Sequence, residues 1–429
     1  TPGIPAGLVA LHEKFGTRPW KSLFAPALRL AEKGFRVTRD WSDTVAEESS
    51  RFNQASREIF LKKDSPFAAS EIHRQPRLLK ALQLFQAKKA AGFYSGPVAR
   101  DLASTVQKNG GVLTVQDLER YRVRWLKPLT ADFQGHKLYL MPPPSSGGVV
   151  LKTAFTLAEK VEPMQKPALG VDETHLFAEI LSRAFRFRST LGDPDFHKNP
   201  LESIFSDKEL SSLASGIQVK KASKLDPLPE NFGLRESNQT TNFSILARNG
   251  DALVMTITLN GNFGSGLATE KFGITLNNEM DDFTTRPGEP NMFGLIQGEA
   301  NRVQPGKRPL SSMSPTLVEK DGRIVMAVGA PGGPRIITAV FHTIYRSLVN
   351  GWNIDEAIQA PRVHHQFLPN KATLDERGFA PEVVEGLRAR GHDVVTGWQG
   401  LAYGVKWDEK AKRLEGAFDA RGEGSIGAR

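Results

Sequence analysis

The sequence predicts an α+β chain whose two regions meet near residue 239, and three observations predict it. Up to about residue 225, apolar residues recur mostly at helical spacing. A polar, proline-punctuated stretch, "KLDPLPENFGLRESNQ", then breaks the pattern. From Thr240 onward, runs of strand-like alternation flank Asn249-Gly250, a strong hairpin signal.

Taken in order, "SLFAPALRLAEKGF" places Leu23, Ala27, Leu30 and Ala31 on one helical face, with Gly34 positioned to end the helix. "PRLLKALQLFQAKKAAG" and "VARDLASTVQKNGG" follow the same plan and also close on glycine. "GHKLYLMPPPSSGG" reads as a short strand stopped by Pro142, Pro143 and Pro144, because proline cannot donate into a ladder. Past the linker, Thr241–Ala247 and Ala252–Leu259 are expected to pair across "RNGD". "GITLNN" and "RIVMAVGA" are expected as further strands, and "IITAVFHTIYRSLVNG" and "IDEAIQAP" as helices. "PEVVEGLRARGHDVV" reads as a helix running into a strand. There is no internal repeat and no low-complexity tract. The organisation is therefore residues 1–239, helix-rich, and residues 240–429, strand-led.

The 429 residues suffice for one large or two ordinary domains. No apolar run approaches the roughly 18–20 residues needed to span a bilayer as a helix. The chain has no cysteine, which excludes disulfides, iron–sulfur clusters and a cysteine nucleophile. Its net charge is +9, and from Thr240 onward 21 Lys and Arg balance 21 Asp and Glu, so the excess lies entirely before that residue. These basic residues are scattered and have no aromatic-rich nucleic-acid motif among them; a solvated basic face is expected, with no nucleic-acid partner.

Without cysteine, a nucleophile has to be Ser, Thr, Lys or a carboxylate. Neither a G-x-S-x-G elbow, an H-E-x-x-H pair nor a Walker A loop occurs. His364 and His365 are adjacent, so on an extended segment they point to opposite faces, and a structural role is expected for both. A threonine at a chain N-terminus carries its own base, because its α-amine has a pKa of about 7.7–8.0 against about 10.4 for lysine. Thr240 is internal, so this chemistry requires cleavage of the Gln239–Thr240 bond. Taken alone, "TTNFS" reads more readily as an ordinary strand start than as a nucleophile. Other pieces are individually weak. Glu279, Asp281 and Asp282 are expected at a strand end, alone an ordinary acidic turn, and Ser311 and Ser312 follow a proline in a loop. Gly332 and Gly333 directly follow an apolar strand, where glycines let backbone N–H groups face a substrate.

In this order, "NQTTNFS", "TLNGNFGSG", "LNNEMDDF", "PNMFGL", "KRPLSSMSPT", "GAPGGPRIIT" and "APRVHHQ" closely resemble the γ-glutamyltranspeptidases (glutathione hydrolases). "GLVALHEKFGTRPWKSLFAPALRLAEKGF", "KNGGVLTVQDLERY", "MPPPSSGG" and "LGDPDF" resemble that family's heavy chain, so the resemblance spans essentially all of the sequence. It implies an N-terminal-nucleophile hydrolase αββα sandwich, with two packed, mostly antiparallel sheets between helical layers. It also implies self-cleavage between Gln239 and Thr240, giving a heterodimer of large (1–239) and small (240–429) subunits.

By motif match, Thr240 is the nucleophile and Thr258 positions it, Asn260 contacts the glutamyl group, and Glu279 and Asp282 hold the donor's α-ammonium. Ser311 and Ser312 bind its α-carboxylate, Gly332 and Gly333 form the oxyanion hole, and Phe293 falls on a loop that covers the donor pocket in many members. The resemblance implies a donor such as glutathione, an amino acid, peptide or water as acceptor, no cofactor, no metal, and a periplasmic or extracellular location. Two departures stand out. Asn242 replaces the histidine of "TTHFS". A further family segment before "PGIPAGL", carrying sheet strands and a carboxylate-binding arginine, has no counterpart in these residues; without it a sheet edge and part of the core are expected to be exposed, and carboxylate binding to rest on Ser311, Ser312 and another cation. An acylase of the same superfamily with another acyl donor, and an uncut, non-catalytic binding relative, are the alternative readings.

Overall fold

A computed structural model describes residues 1–161, 166–224 and 240–428; Gln239 and the linker from residue 225 lie outside the described residues. The chain divides into two compact units, one of Thr1–Trp125 with Leu259–Asn278, the other of Leu126–Thr258 with Glu279–Arg429.

The smaller unit is built from short amphipathic helices, among them Ala25–Lys33, Pro76–Lys88 and Gly96–Lys108. Gly34 ends the first of these at φ +86°, a conformation that favours glycine. Val98, Ala99, Leu102 and Leu118 are buried together with Phe272 and Leu276 of the segment 259–278. Two buried polar side chains pin that segment. The carboxylate of Asp101 accepts from the N–H groups of Lys271 (3.0 Å) and Phe272 (3.1 Å). The Asn53 amide makes a matched pair of hydrogen bonds with the backbone of Ala268. "GITLNN" is not a strand: it makes only an isolated bridge, Ala268 to Thr275, because the chain here follows the curve of the 264–276 loop and not a ladder.

In the larger unit, six antiparallel strands run in the order Arg413–Phe418, Tyr403–Asp408, Arg323–Gly329, Thr316–Lys320, His136–Leu140 and Leu129–Phe133. Strands from both sides of residue 240 thus share one sheet. Gly147–Val161, Val171–Phe185 and Arg335–Leu348 supply the helical layer, and Leu151, Phe155, Phe177, Ile337, Phe341 and Ile344 pack with Val318 and Val328 in the main core. The buried Arg346–Glu173 pair, at 2.7 Å, ties two of these helices together. The expected helix-to-strand unit is present: helix Pro381–Ala389 leads to strand Val394–Gly397, which runs parallel to Ala372–Asp375.

The hairpin forms as its turn chemistry predicts. Thr241–Leu246 pairs with Ala252–Ile257, from Thr241 opposite Ile257 to Leu246 opposite Ala252. Gly250, at φ +95°, closes the turn by donating to the carbonyl of Ala247. This second, two-stranded sheet packs on Arg323–Gly329 and Tyr403–Asp408 of the first, which gives the α, β, β order of layers within this unit. The inward face of its first strand carries Asn242, Ser244 and Leu246, with Ser244 Oγ donating to the carbonyl of Tyr403, while Phe243 and Ile245 face outward. Asn242, the departure from the family motif, is buried, and its amide lies 3.0 Å from Ser244 Oγ and 3.2 Å from Thr256 Oγ1. A β-carbon on Gly329 would stand 2.0 Å from Asn242 Oδ1, so this glycine lets the two sheets close up. Among the described residues no helix is long and apolar enough to cross a membrane.

Candidate active site

At the open end of the hairpin, the last residue before the first strand and the first after the second come together. Thr240 Oγ1 lies 3.3 Å from Thr258 Oγ1, a hydrogen bond between two half-buried hydroxyls. The register causes this: Thr241 pairs with Ile257, so 240 and 258 face each other one step further on. The adjoining strand, Arg323–Gly329, carries the chain past Asn242 and directly into Pro331-Gly332-Gly333-Pro334. Gly332 sits at φ +128° and Gly333 at φ +55°. Their carbonyls accept from Arg335 and Ile336 as the helix begins, whereas their N–H groups make no hydrogen bond among the described residues. Two adjacent, unspent N–H groups beside a helix start are what an oxyanion requires. The ring of Phe293 covers this turn, since a β-carbon on Gly333 would stand 2.9 Å from it.

The acidic residues form one 3-10 turn, Glu279–Asp282, and not the end of a strand. Asp282 is buried; burial raises its carboxyl to about 7 against the lowering effect of the Arg188 guanidinium, and Asp281 adds to the rise. Burial, together with the Asp282 charge, raises Glu279 to about 8. Such a pair resists ionisation on its own and accepts a cation readily. Asp281 is committed elsewhere, taking the N–H of Met292. In the serine loop, Ser311 N donates to the carbonyl of Pro144 (2.8 Å) and Ser146 N to that of Ser311 (2.9 Å), so "MPPPSSGG" is the shelf on which "PLSS" rests. The hydroxyls of Ser311 and Ser312 make no hydrogen bond among the described residues, which leaves both as available donors. Asn260, the remaining expected residue, belongs to the smaller unit; it is buried at φ +72° with Nδ2 3.4 Å from the carbonyl of Asn278.

Sequence reasoning missed Asp193, Arg188, Gln297 and Asn301, all buried behind these loops. Asp193, in "LGDPDF", accepts from Arg308 N at 2.8 Å. Their signal lay only in polar residues standing where burial was not expected. His364 and His365 do have separate partners: Thr338 and Gln366 for one, Asn370 for the other. Elsewhere in this unit His175, Glu179 and His392 bring potential ligand atoms within 4.8 Å of one another. These atoms already have protein partners: His175 Nδ1 lies 2.7 Å from His392 Nε2, and the Glu179 carboxylate is taken by Ser223 and Arg183.

Packed sheets under a helical layer, a pair of hydroxyls at a hairpin mouth and a glycine turn are the arrangement of an N-terminal-nucleophile hydrolase. A cephalosporin acylase from Bacillus halodurans shares this fold, with a TM-score of 0.85 at 22% identity, over 100% of this chain and 78% of that one. The family model described as gamma-glutamyltranspeptidase matches residues 1–428. The glutathione hydrolase proenzyme of Escherichia coli K12 is 40% identical over 401 residues, 92% of this chain and 69% of the relative. That of Pseudomonas aeruginosa is 38% identical over 440 residues, 99% and 76% respectively. The chain belongs to the γ-glutamyltranspeptidase family, and it is an enzyme.

Proposed function

We propose that the chain matures by cleavage between Gln239 and Thr240 and then acts as a glutathione hydrolase, with Thr240 passing the γ-glutamyl group to water or to an amino acid or peptide. The observation that carries this reading is the Thr240–Thr258 hydroxyl pair at the mouth of the hairpin. The relatives' name, glutathione hydrolase proenzyme, supports both halves of it. Residues 1–239 and 240–429 stay together as two subunits, because His136–Leu140 pairs with Thr316–Lys320 inside one sheet. A periplasmic or extracellular location is part of the same proposal, supported by the family resemblance alone.

In the mature enzyme the free α-amine of Thr240 takes the proton from its own Oγ1, which Thr258 orients. The oxygen attacks the donor's γ-carbonyl, and the N–H groups of Gly332 and Gly333 receive the negative charge on the carbonyl oxygen. Collapse of this intermediate breaks the C–N bond; the ammonium returns the proton to the leaving amine, and a γ-glutamyl ester remains on Thr240. Water or an acceptor amine attacks the ester in the same way, losing a proton to the α-amine and restoring the hydroxyl. Glu279 and Asp282 hold the α-ammonium, and Ser311 and Ser312 the α-carboxylate. The motif alone assigns Asn260 to the glutamyl group. Phe293 shields the oxyanion turn from water.

The test is turnover of γ-glutamyl-p-nitroanilide against glutaryl-p-nitroanilide, which lacks the α-ammonium. The glutamyl donor is expected to be favoured at least tenfold in kcat/KM; equal or reversed preference would point to an acylase with another donor.

The raised carboxyls also set a pH dependence. Binding an α-ammonium requires an ionised carboxylate here, so affinity is present above about pH 7 and is lost as pH falls through that value. L-Glutamate, a product inhibitor, does not itself change charge between pH 6 and 8. Its Ki is expected to rise roughly tenfold per unit below pH 7. Protonation of the Thr240 amine acts in the opposite sense, by attracting the γ-carboxylate, so a Ki that falls on acidification would contradict the assignment. Stability has the reverse sign: the protonated carboxyls favour folding fully below their unfolded pKa of about 4 and lose that contribution as pH rises through about 7–8.

A further inference from the structure

The acidic turn and the serine loop lie about thirty residues apart in sequence, yet a glutamyl donor offers its ammonium and carboxylate on one α-carbon. Something has to fix the distance between the two. We propose that Asn301 is the positioning residue that does so and thereby makes the site selective for donors carrying both charges; this rests on the binding roles given above to Asp282 with Glu279 and to Ser311 with Ser312.

Asn301 is 1% exposed and contacts both elements through one amide. Its Nδ2 donates to the main-chain carbonyl of Asp282 at 2.7 Å and also to Gln297 Oε1. Its Oδ1 accepts from the N–H of Leu310, the residue before Ser311, at 2.9 Å. Gln297 Nε2 supports the first contact by donating to the same Asp282 carbonyl at 2.9 Å. Arg188 supports the second: its Nη2 donates to the carbonyl of Leu310 at 3.3 Å, so both main-chain groups of Leu310 are held. The remaining donors of this buried guanidinium, Nε and Nη1, have no hydrogen-bond partner among the described residues. Arg188 therefore acts on the site by its charge and by this one contact. The backbone of Asn301 is fixed in turn, its carbonyl accepting from Thr284 N at 3.0 Å.

Both polar ends of the Asn301 amide are thus engaged, Nδ2 on the acidic turn and on Gln297, and Oδ1 on the serine loop. A shorter side chain unlinks them, and a carboxylate in its place cannot donate to either partner.

The experiment compares three anilide donors: γ-glutamyl, glutaryl (no α-ammonium) and 4-aminobutyryl (no α-carboxylate). Asn301→Ala is expected to lower the preference for the glutamyl donor over each truncated donor by tenfold or more. The change should lie chiefly in KM, with kcat within about threefold and self-cleavage intact. Asn301→Asp keeps the acceptor for Leu310 N and loses the donors to Asp282, so it should lose discrimination against glutaryl while keeping more of that against 4-aminobutyryl. Unchanged preference ratios in folded Asn301 variants, or failure of both variants to fold, would make the residue merely structural and overturn the proposal. Asp282→Asn serves as the control. If it too leaves the glutamyl-to-glutaryl ratio unchanged, the binding assignment itself fails; if it collapses that ratio while Asn301→Ala does not, only the positioning role fails.

Discussion

Replacing Thr240 by alanine is expected to leave the polypeptide uncut and to lower turnover of a γ-glutamyl anilide on the order of 10⁴-fold or more, as loss of a sole nucleophile does elsewhere. In the proposed mechanism the hydroxyl is required twice, first to attack the Gln239 carbonyl and then to attack the donor. Thr240 lies one residue before the strand Thr241–Leu246, and its Oγ1 contacts Thr258 Oγ1 at 3.3 Å. Removing it costs little packing, because the residue is only half-buried. Thr240→Ser keeps the oxygen and the α-amine, so it should still cleave and retain measurable turnover. The comparison needs only gel electrophoresis and the anilide assay; a fully cleaved, active alanine variant would remove Thr240 from the mechanism.

Gly332→Ala is expected to lower kcat by about 10²–10³-fold, the usual effect of spoiling one oxyanion donor, with a smaller change in KM. Two physical facts make this position strict. At φ +128° an L-residue is strained whatever the space around it. An added β-carbon would also stand 2.9 Å from Gly400 Cα, and backbone cannot swing aside as a side chain can. Gly333 differs on both counts. Its φ of +55° is a left-handed value that other residues do adopt, and the contact at 2.9 Å is with the ring of Phe293. Gly333→Ala should therefore cost less than Gly332→Ala, and the order of the two kcat values tests whether backbone geometry at 332 governs the step. A Gly332→Ala enzyme within threefold of wild type would rule out that N–H as an oxyanion donor.

Local rules made much of this fold legible. Gly34 ends its helix at positive φ, Asn249-Gly250 turns the hairpin, and "RIVMAVGA" is a central strand delivering the glycine turn. Each depends on neighbours in sequence, which is where propensity and turn chemistry act. "GITLNN" shows the limit: its strand-like composition was outweighed by tertiary anchoring from Asp101 and Asn53 to the segment it ends. The six-stranded sheet, which mixes strands from both sides of Thr240, was invisible to a reading that divided the chain there.

The site divides in the same way. Thr240, Asp282, Ser311 and Gly332 stand in motifs whose order singled them out as candidates, although each motif alone read as a strand start, an acidic turn, a loop or a plain turn. Asn301, Arg188 and Asp193 could not be found so. Their partners lie 9 to 122 residues away, and a buried hydrogen bond of that kind leaves no periodicity in the sequence.

The central claim, that Thr240 becomes a chain start, is tested most directly by the denaturing intact mass of freshly purified protein. The account predicts two species, one ending at Gln239 and the other beginning at Thr240, and a single species for Thr240→Ala. One uncut wild-type species, or a cut at any other bond, would contradict it.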